Sequence, residues 1–94
     1  MQPIWTLLAK RRVLEIRSEI AKDNELAAAR TIGKIRAAVK QLDPHPHSGR
    51  PGRIAGTREL VVPGTPYMVA YQIFKNKVEI ISVVHEKQQW PQKF

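Results

Sequence analysis

The spacing of apolar residues changes once along this chain, near Thr57, and that change dictates helices first and strands after. From Thr57 the period is two: Arg58, Leu60 and Val62 share one face of a strand, and Thr57, Glu59 and Val61 share the other. Two further runs, 67–74 and 78–84, are rich in β-branched and aromatic residues and apolar on both faces. Turn residues separate the three runs. Pro63 and Gly64 fit the central positions of a type II turn, Pro66 falls at a strand's first residue, and Asn76 can adopt positive φ. The segment therefore reads as an antiparallel meander. Strands apolar on both faces need cover on both, so a helix layer on one side leaves the other to the C-terminal tail or to another protein.

Upstream the apolar steps are three and four. Ala9, Val13, Ile16 and Ile20 form one stripe, preceded by Thr6 as N-cap, and predict an amphipathic helix of about four turns. Residues 22–25 carry cap and turn chemistry, with Asp23 or Asn24 as the next N-cap and Glu25 at the positive end of the helix dipole. Ala28, Ile32, Ile35, Val39 and Leu42 repeat the stripe, and so short a connection predicts antiparallel packing of the two helices. Gly33 inside the second helix costs about 1 kcal/mol against alanine, and is read as tolerated rather than as a point of close approach. Pro44 ends the helix, and a loop rich in breakers runs through Pro51 and Gly52. Gln2 to Trp5 can form only a short strand, placed against the meander. The expected fold class is α+β: a short N-terminal strand, an antiparallel helix hairpin, then a three-stranded antiparallel meander packed on the helices, as a single domain spanning 1–94.

Charge narrows the function. The net charge is +8, and residues 1–53 hold 11 basic and 5 acidic side chains, a local +6, so most of the positive field belongs to the helical half. Such a field attracts polyanions or an acidic protein. Lys10, Arg11, Arg12 and Arg17 on the first helix and Arg30, Lys34 and Arg36 on the second read either as solvated faces or as a nucleic-acid or acidic-partner surface. No aromatics interleave with them, so a stacking platform for single strands is not supported. The chain has no cysteine, which excludes disulfides and thiolate metal sites, and His45, His47 and His85 do not compose a zinc set. No metal or cofactor is expected. Neither a secretory leader nor a run long enough to span a bilayer is visible, which makes the cytoplasm the expected compartment and a membrane an unexpected partner.

The residues able to carry chemistry are few. Arg58 can pin a phosphate or carboxylate, Tyr71 and His85 can hold or move protons, Lys87 adds a cation, and Trp90 can stack or anchor a contact. Against each stands a plain structural role: Arg58 as an ion-pair partner of its neighbour Glu59, Tyr71 as a core aromatic, His85 as a packed or capping residue. Phe74, Ile81 and Val83 are expected to form an apolar patch that the helices leave uncovered.

The order of motifs adds a resemblance. A Gly-Arg loop, the strand opening Gly56-Thr57-Arg58-Glu59-Leu60, an aromatic-aliphatic strand with Tyr71, and a last strand closing on His85 with Trp90-Pro91 beyond it resemble the RelE/ParE superfamily of toxins, closest to its ParE-type branch. The likeness spans nearly the whole chain. It implies the toxin of a type II toxin-antitoxin system, silenced by a cognate antitoxin and poisoning DNA gyrase rather than catalysing a reaction. The ribonuclease branch instead cuts messenger RNA on the ribosome, by activating a 2′-hydroxyl with residues on the open face of the sheet. For that activity Arg58, Tyr71, His85 and Lys87 are the candidates. That branch usually carries a second arginine three residues before the tyrosine, where this chain has Met68, so the phosphate clamp is depleted. Partner or target contacts are expected from Arg11, Arg17, Arg30, Arg53, Arg58, Phe74, Ile81, Val83, His85, Lys87 and Trp90, with a homodimer or a toxin-antitoxin hetero-oligomer as the assembly. A third reading is an inactivated basic binding module.

Overall fold

Thr6 joins the first strand, β1 (Pro3–Trp5), to the first helix, α1 (Leu7–Ala21), and ties both to the sheet. Its hydroxyl accepts from the Ala9 N–H at 3.2 Å as the helix N-cap and donates to the Ile80 carbonyl at 2.7 Å, to which its own N–H also donates at 3.1 Å. The computed structural model describes residues 1–88 and Trp90; Pro91 of the Trp-Pro pair lies outside the described residues.

The second helix, α2 (Glu25–Lys40), starts at Asn24, whose side chain accepts from the Ala27 N–H at 2.9 Å. Asn24 thus takes the cap between the two candidates. Glu25 in the first turn and Lys40 in the last both complement the helix dipole. The stripes read from the sequence face the core: Ala9, Val13 and Ile16 are buried on α1 with Ile20 partly buried beside them, and Ala28, Ile32, Ile35 and Val39 are buried on α2, with Leu42 fully buried just beyond. Gly33 is exposed, and a Cβ placed there would meet nothing within 4 Å, so it is a tolerated glycine.

Four more strands follow: β2 (Arg50–Pro51), β3 (Arg58–Val61), β4 (Tyr67–Phe74) and β5 (Lys77–His85). The sheet order is β1-β5-β4-β3-β2, with β1 parallel to β5 and the other pairs antiparallel. The α+β class and the helix hairpin agree with the sequence reading, while the sheet has five strands around the expected meander. The addition is β2, in the segment read as loop. Two residues carry no period, and Pro51 is tolerated because β2 is an edge strand. Gly64 at φ 75° and a Thr65 N–H to Val62 carbonyl bond of 3.2 Å make the type II turn before β4. Lys75 at φ 51° and Asn76 at φ 60° close the β4–β5 hairpin as a two-residue type I′ turn between paired Phe74 and Lys77.

A β-bulge in β5 decides which side chains face the helices. Ala70 pairs with Ser82 but Tyr71 pairs with Ile80, which leaves Ile81 as the extra residue. Plain alternation would put Ile81 and Val83 on one face and Val78 and Ile80 on the other. The extra residue inverts the pattern, so Val78, Ile80 and Val83 all join Tyr67, Val69 and Tyr71 in the core beneath the helices. Val83 is fully buried, and the expected patch of Phe74, Ile81 and Val83 does not exist as such. Ile81 is half-buried and Phe74 exposed.

Candidate functional site

The four residues weighed for ribonuclease chemistry do not converge. Arg58 and Tyr71 face each other across β3 and β4, whereas His85 pairs with Tyr67, four residues further down β4. At 3.3 Å per residue that separates the two pairs by about 13 Å along the strand. Both pairs also lie on the helix-facing side of the sheet, not on its open face.

Each of these side chains has a local structural task. Tyr71 is fully buried; its hydroxyl donates to the Pro46 carbonyl at 2.8 Å and accepts from the Gly49 N–H at 2.9 Å, pinning the loop after α2. Gly49 is required there, since a Cβ would sit 2.6 Å from that hydroxyl. Burial pushes the Tyr71 pKa above the ordinary phenol value, with the Gly49 bond and Arg58 acting weakly the other way, so the hydroxyl is a poor proton shuttle. Arg58 Nη1 donates to the Gly49 carbonyl at 2.8 Å. The expected Arg58–Glu59 ion pair is absent because successive strand residues point to opposite faces. His85 packs edge-on to Tyr67 at 5.3 Å between ring centroids, and its Nδ1 accepts from the Lys87 N–H at 3.0 Å. The Lys87 side chain is exposed in the turn after β5.

The open face has a centre that sequence reasoning missed. Glu59, only 3% exposed, accepts from Arg50 Nη2 at 3.2 Å, from Arg53 Nε at 3.2 Å and from the Arg53 backbone N–H at 2.8 Å. Burial alone would raise this carboxyl's pKa; the bonds from Arg53 and Arg50 outweigh it and hold it below the usual glutamate value. Arg50 also reaches the Met68 sulfur at 3.4 Å, and the Arg53 guanidinium lies over the Trp90 ring at 3.9 Å from its centroid. The loop between β2 and β3 and the tail at Trp90 therefore close over this half of the open face, where Met68, Ala70, Ser82 and Val84 are all buried. The one available signal was a single acid, Glu59, among Arg50, Arg53 and Arg58. Which arginine it takes depends on the path of the loop.

The helices carry the other constellation. Arg12, expected on a solvated face, turns inward: its Nε donates to the Val83 carbonyl at 3.2 Å and its Nη2 to Gln88 Oε1 at 3.2 Å. Arg11, Arg17 and Arg30 are exposed as expected. A cleft of about 780 Å³ opens between β1 and the two helices, walled by Pro3, Trp5, Val13, Leu14 and Val39. Lys10, Arg36 and Lys40 stand at it against Asp43, which is held by the Met1 ammonium at 3.1 Å. Leu14 also borders a second groove along the helix hairpin with Arg17, Ser18, Ala21, Glu25 and Leu26. Leu14 and Leu26 are among the most exposed large apolar residues. The arrangement suits an apolar segment bearing carboxylates.

Solved structures with the same frame come from toxin-antitoxin systems. A chain of the chromosomal ParDE system from P. aeruginosa superposes with a TM-score of 0.81 at 20% identity, over 90% of this chain and 95% of that one. A chain of the RelBE2 toxin-antitoxin complex from Mycobacterium tuberculosis gives 0.62 at 26% identity, over 89% and 95%. The first establishes the fold alone. The family model described as the ParE toxin of the type II toxin-antitoxin system, parDE, matches residues 4–90, and the chain belongs to that family. Among curated relatives, toxin Y4kP of Sinorhizobium fredii is 52% identical over 94% of this chain and 91% of its own length. Toxin RelE2 of Caulobacter vibrioides is 33% identical over 89% of this chain and 93% of its own. The protein is a toxin of the ParE/RelE type.

Proposed function

We propose that this toxin, as a single domain spanning 1–94, acts in the cytoplasm by binding and inhibiting DNA gyrase, and that an acidic, amphipathic antitoxin neutralises it by direct contact. The observation that carries the choice of target is the dispersal of Arg58, Tyr71, His85 and Lys87. Cleavage of RNA by 2′-hydroxyl attack needs a phosphate clamp and a proton donor around one bond. Here Arg58 and Tyr71 are spent on the loop after α2, His85 lies about 13 Å away along the strand, and Met68 stands where the ribonuclease branch usually carries a second arginine. Binding a protein target needs none of these groups.

The antitoxin reading rests on the cleft at β1. Its apolar walls and the cations Lys10, Arg36 and Lys40 match an antitoxin segment that places apolar side chains inward and carboxylates at the rim. Arg11, Arg17 and Arg30 extend the same field along the helices. Purified toxin should inhibit supercoiling by gyrase and leave messenger RNA intact on programmed ribosomes. Cleavage in the ribosomal A site with supercoiling unaffected would reverse the assignment in favour of the messenger RNA endonuclease.

A further inference from the structure

The open face of the sheet is unevenly covered. At its β2 end Met68, Ala70, Ser82 and Val84 are buried under the Arg50–Glu59–Arg53 cluster and Trp90, whereas at the β4–β5 hairpin end Phe74 is 54% exposed. Strand alternation puts Phe74 on the same face as Gln72 and Ala70, and cross-strand pairing places Lys77 beside it. Ile4, 46% exposed, pairs with Glu79 on that same face, two strands from β4 and separated from Phe74 by Lys77 and Glu79 of β5. Lys75 reaches back over the Phe74 ring, 5.4 Å from its centroid. The type I′ turn at Lys75 and Asn76 fixes the backbone that carries Phe74, so less main-chain freedom is left to lose on binding, and large exposed aromatics are enriched among interface anchors.

We propose that this hairpin tip is the surface by which the toxin docks its target, with Phe74 as anchor, Ile4 as a second, separate apolar contact on the same face, and Lys75 and Lys77 selecting a protein surface that offers an apolar pocket rimmed by carboxylates. The assignment rests on the reading that this toxin acts by binding a protein. Two lysines against Glu79 leave the tip positive, so a second copy of the same tip is repelled and an acidic partner is favoured. The tip lies on the face opposite the β1 cleft, to which Pro3 and Trp5 contribute. Target and antitoxin contacts are therefore separable by mutation.

The test compares wild type with Phe74→Ser and with the double variant Lys75→Glu/Lys77→Glu. The readouts are growth arrest in cells lacking antitoxin, inhibition of purified gyrase, calorimetric binding of the antitoxin encoded beside the toxin, and thermal melting. Both variants should melt as wild type does, bind antitoxin as wild type does, and lose growth arrest, with the concentration for half-inhibition of gyrase rising on the order of tenfold or more. Growth arrest reads the docking surface whatever the target, and gyrase inhibition by wild type reads the proposed target separately. Full growth arrest by both variants, or loss of antitoxin binding by well-folded variants, overturns the inference. If Phe74→Ser melts low, the double variant, which alters only exposed charges, decides.

Discussion

Replacing Glu59 by glutamine keeps the side chain's shape and removes the charge on which the open-face cluster depends. The carboxylate holds Arg50 at 3.2 Å and Arg53 through its Nε at 3.2 Å and its backbone N–H at 2.8 Å. Hydrogen bonds to a charged group contribute about 1.5–3 kcal/mol each when buried. The two arginine side chains are 58% and 46% exposed, so on release they regain water and most of that sum is returned. A net loss of about 2 kcal/mol is expected, which for a domain of this size lowers Tm by roughly 8–16 °C. The pH dependence identifies the cause. The folded carboxyl is held below its unfolded value, so its contribution is complete above the unfolded value, near pH 4.3, and is lost as the pH falls through the lower, folded one. Wild type and Glu59→Gln should differ by a constant amount from about pH 7 down to about pH 5 and converge at acid pH, where both side chains are neutral. Denaturant melts followed by circular dichroism at several pH values give the comparison. A gap that persists undiminished into strong acid, or no gap at neutral pH, refutes the charge-cluster argument.

Gly33→Ala should raise stability by up to about 1 kcal/mol, because the site is helical, exposed and open, and a lower Tm would contradict the reading of Gly33 as merely tolerated. Gly49→Ala should cost about 2 kcal/mol or more in a chemical melt, since its Cβ would press on the Tyr71 hydroxyl at 2.6 Å and the Glu59 carbonyl at 3.0 Å. Tyr71→Phe leaves the Gly49 N–H and the Pro46 carbonyl without this partner and should cost about 1–3 kcal/mol, yet toxicity should survive at temperatures where the variant is folded; toxicity lost from a folded variant would revive Tyr71 as a proton donor. Antitoxin association, measured by stopped flow, should slow steeply with salt as the Debye length falls from about 10 Å at 0.1 M to about 3 Å at 1 M. A rate indifferent to salt would remove the helical cations from the encounter.

Much of this architecture is written in short-range pattern. The helix stripes, the caps at Thr6 and Asn24, the type II turn at Pro63-Gly64, positive φ at Asn76 and the limits of β4 all follow from residues within about one helical turn or one strand of each other. The RelE/ParE likeness was legible for the same reason, since its motifs follow those elements in order. Tertiary structure decided the rest. The bulge at Ile81 carries Val83 from the expected patch into the core, β2 forms only because Arg50 and Pro51 find Glu59 and Arg58 across the loop, and Arg12 turns inward because the Val83 carbonyl, 71 residues away, lies within reach. The sequence told that Glu59 and Arg58 are neighbours, but not that the pleat aims them at opposite faces with different partners. The candidate site follows the same division: residue types and net charge are local properties of the chain, whereas which side chains meet, and which apolar groups stay exposed, depend on backbone pairings across the whole fold.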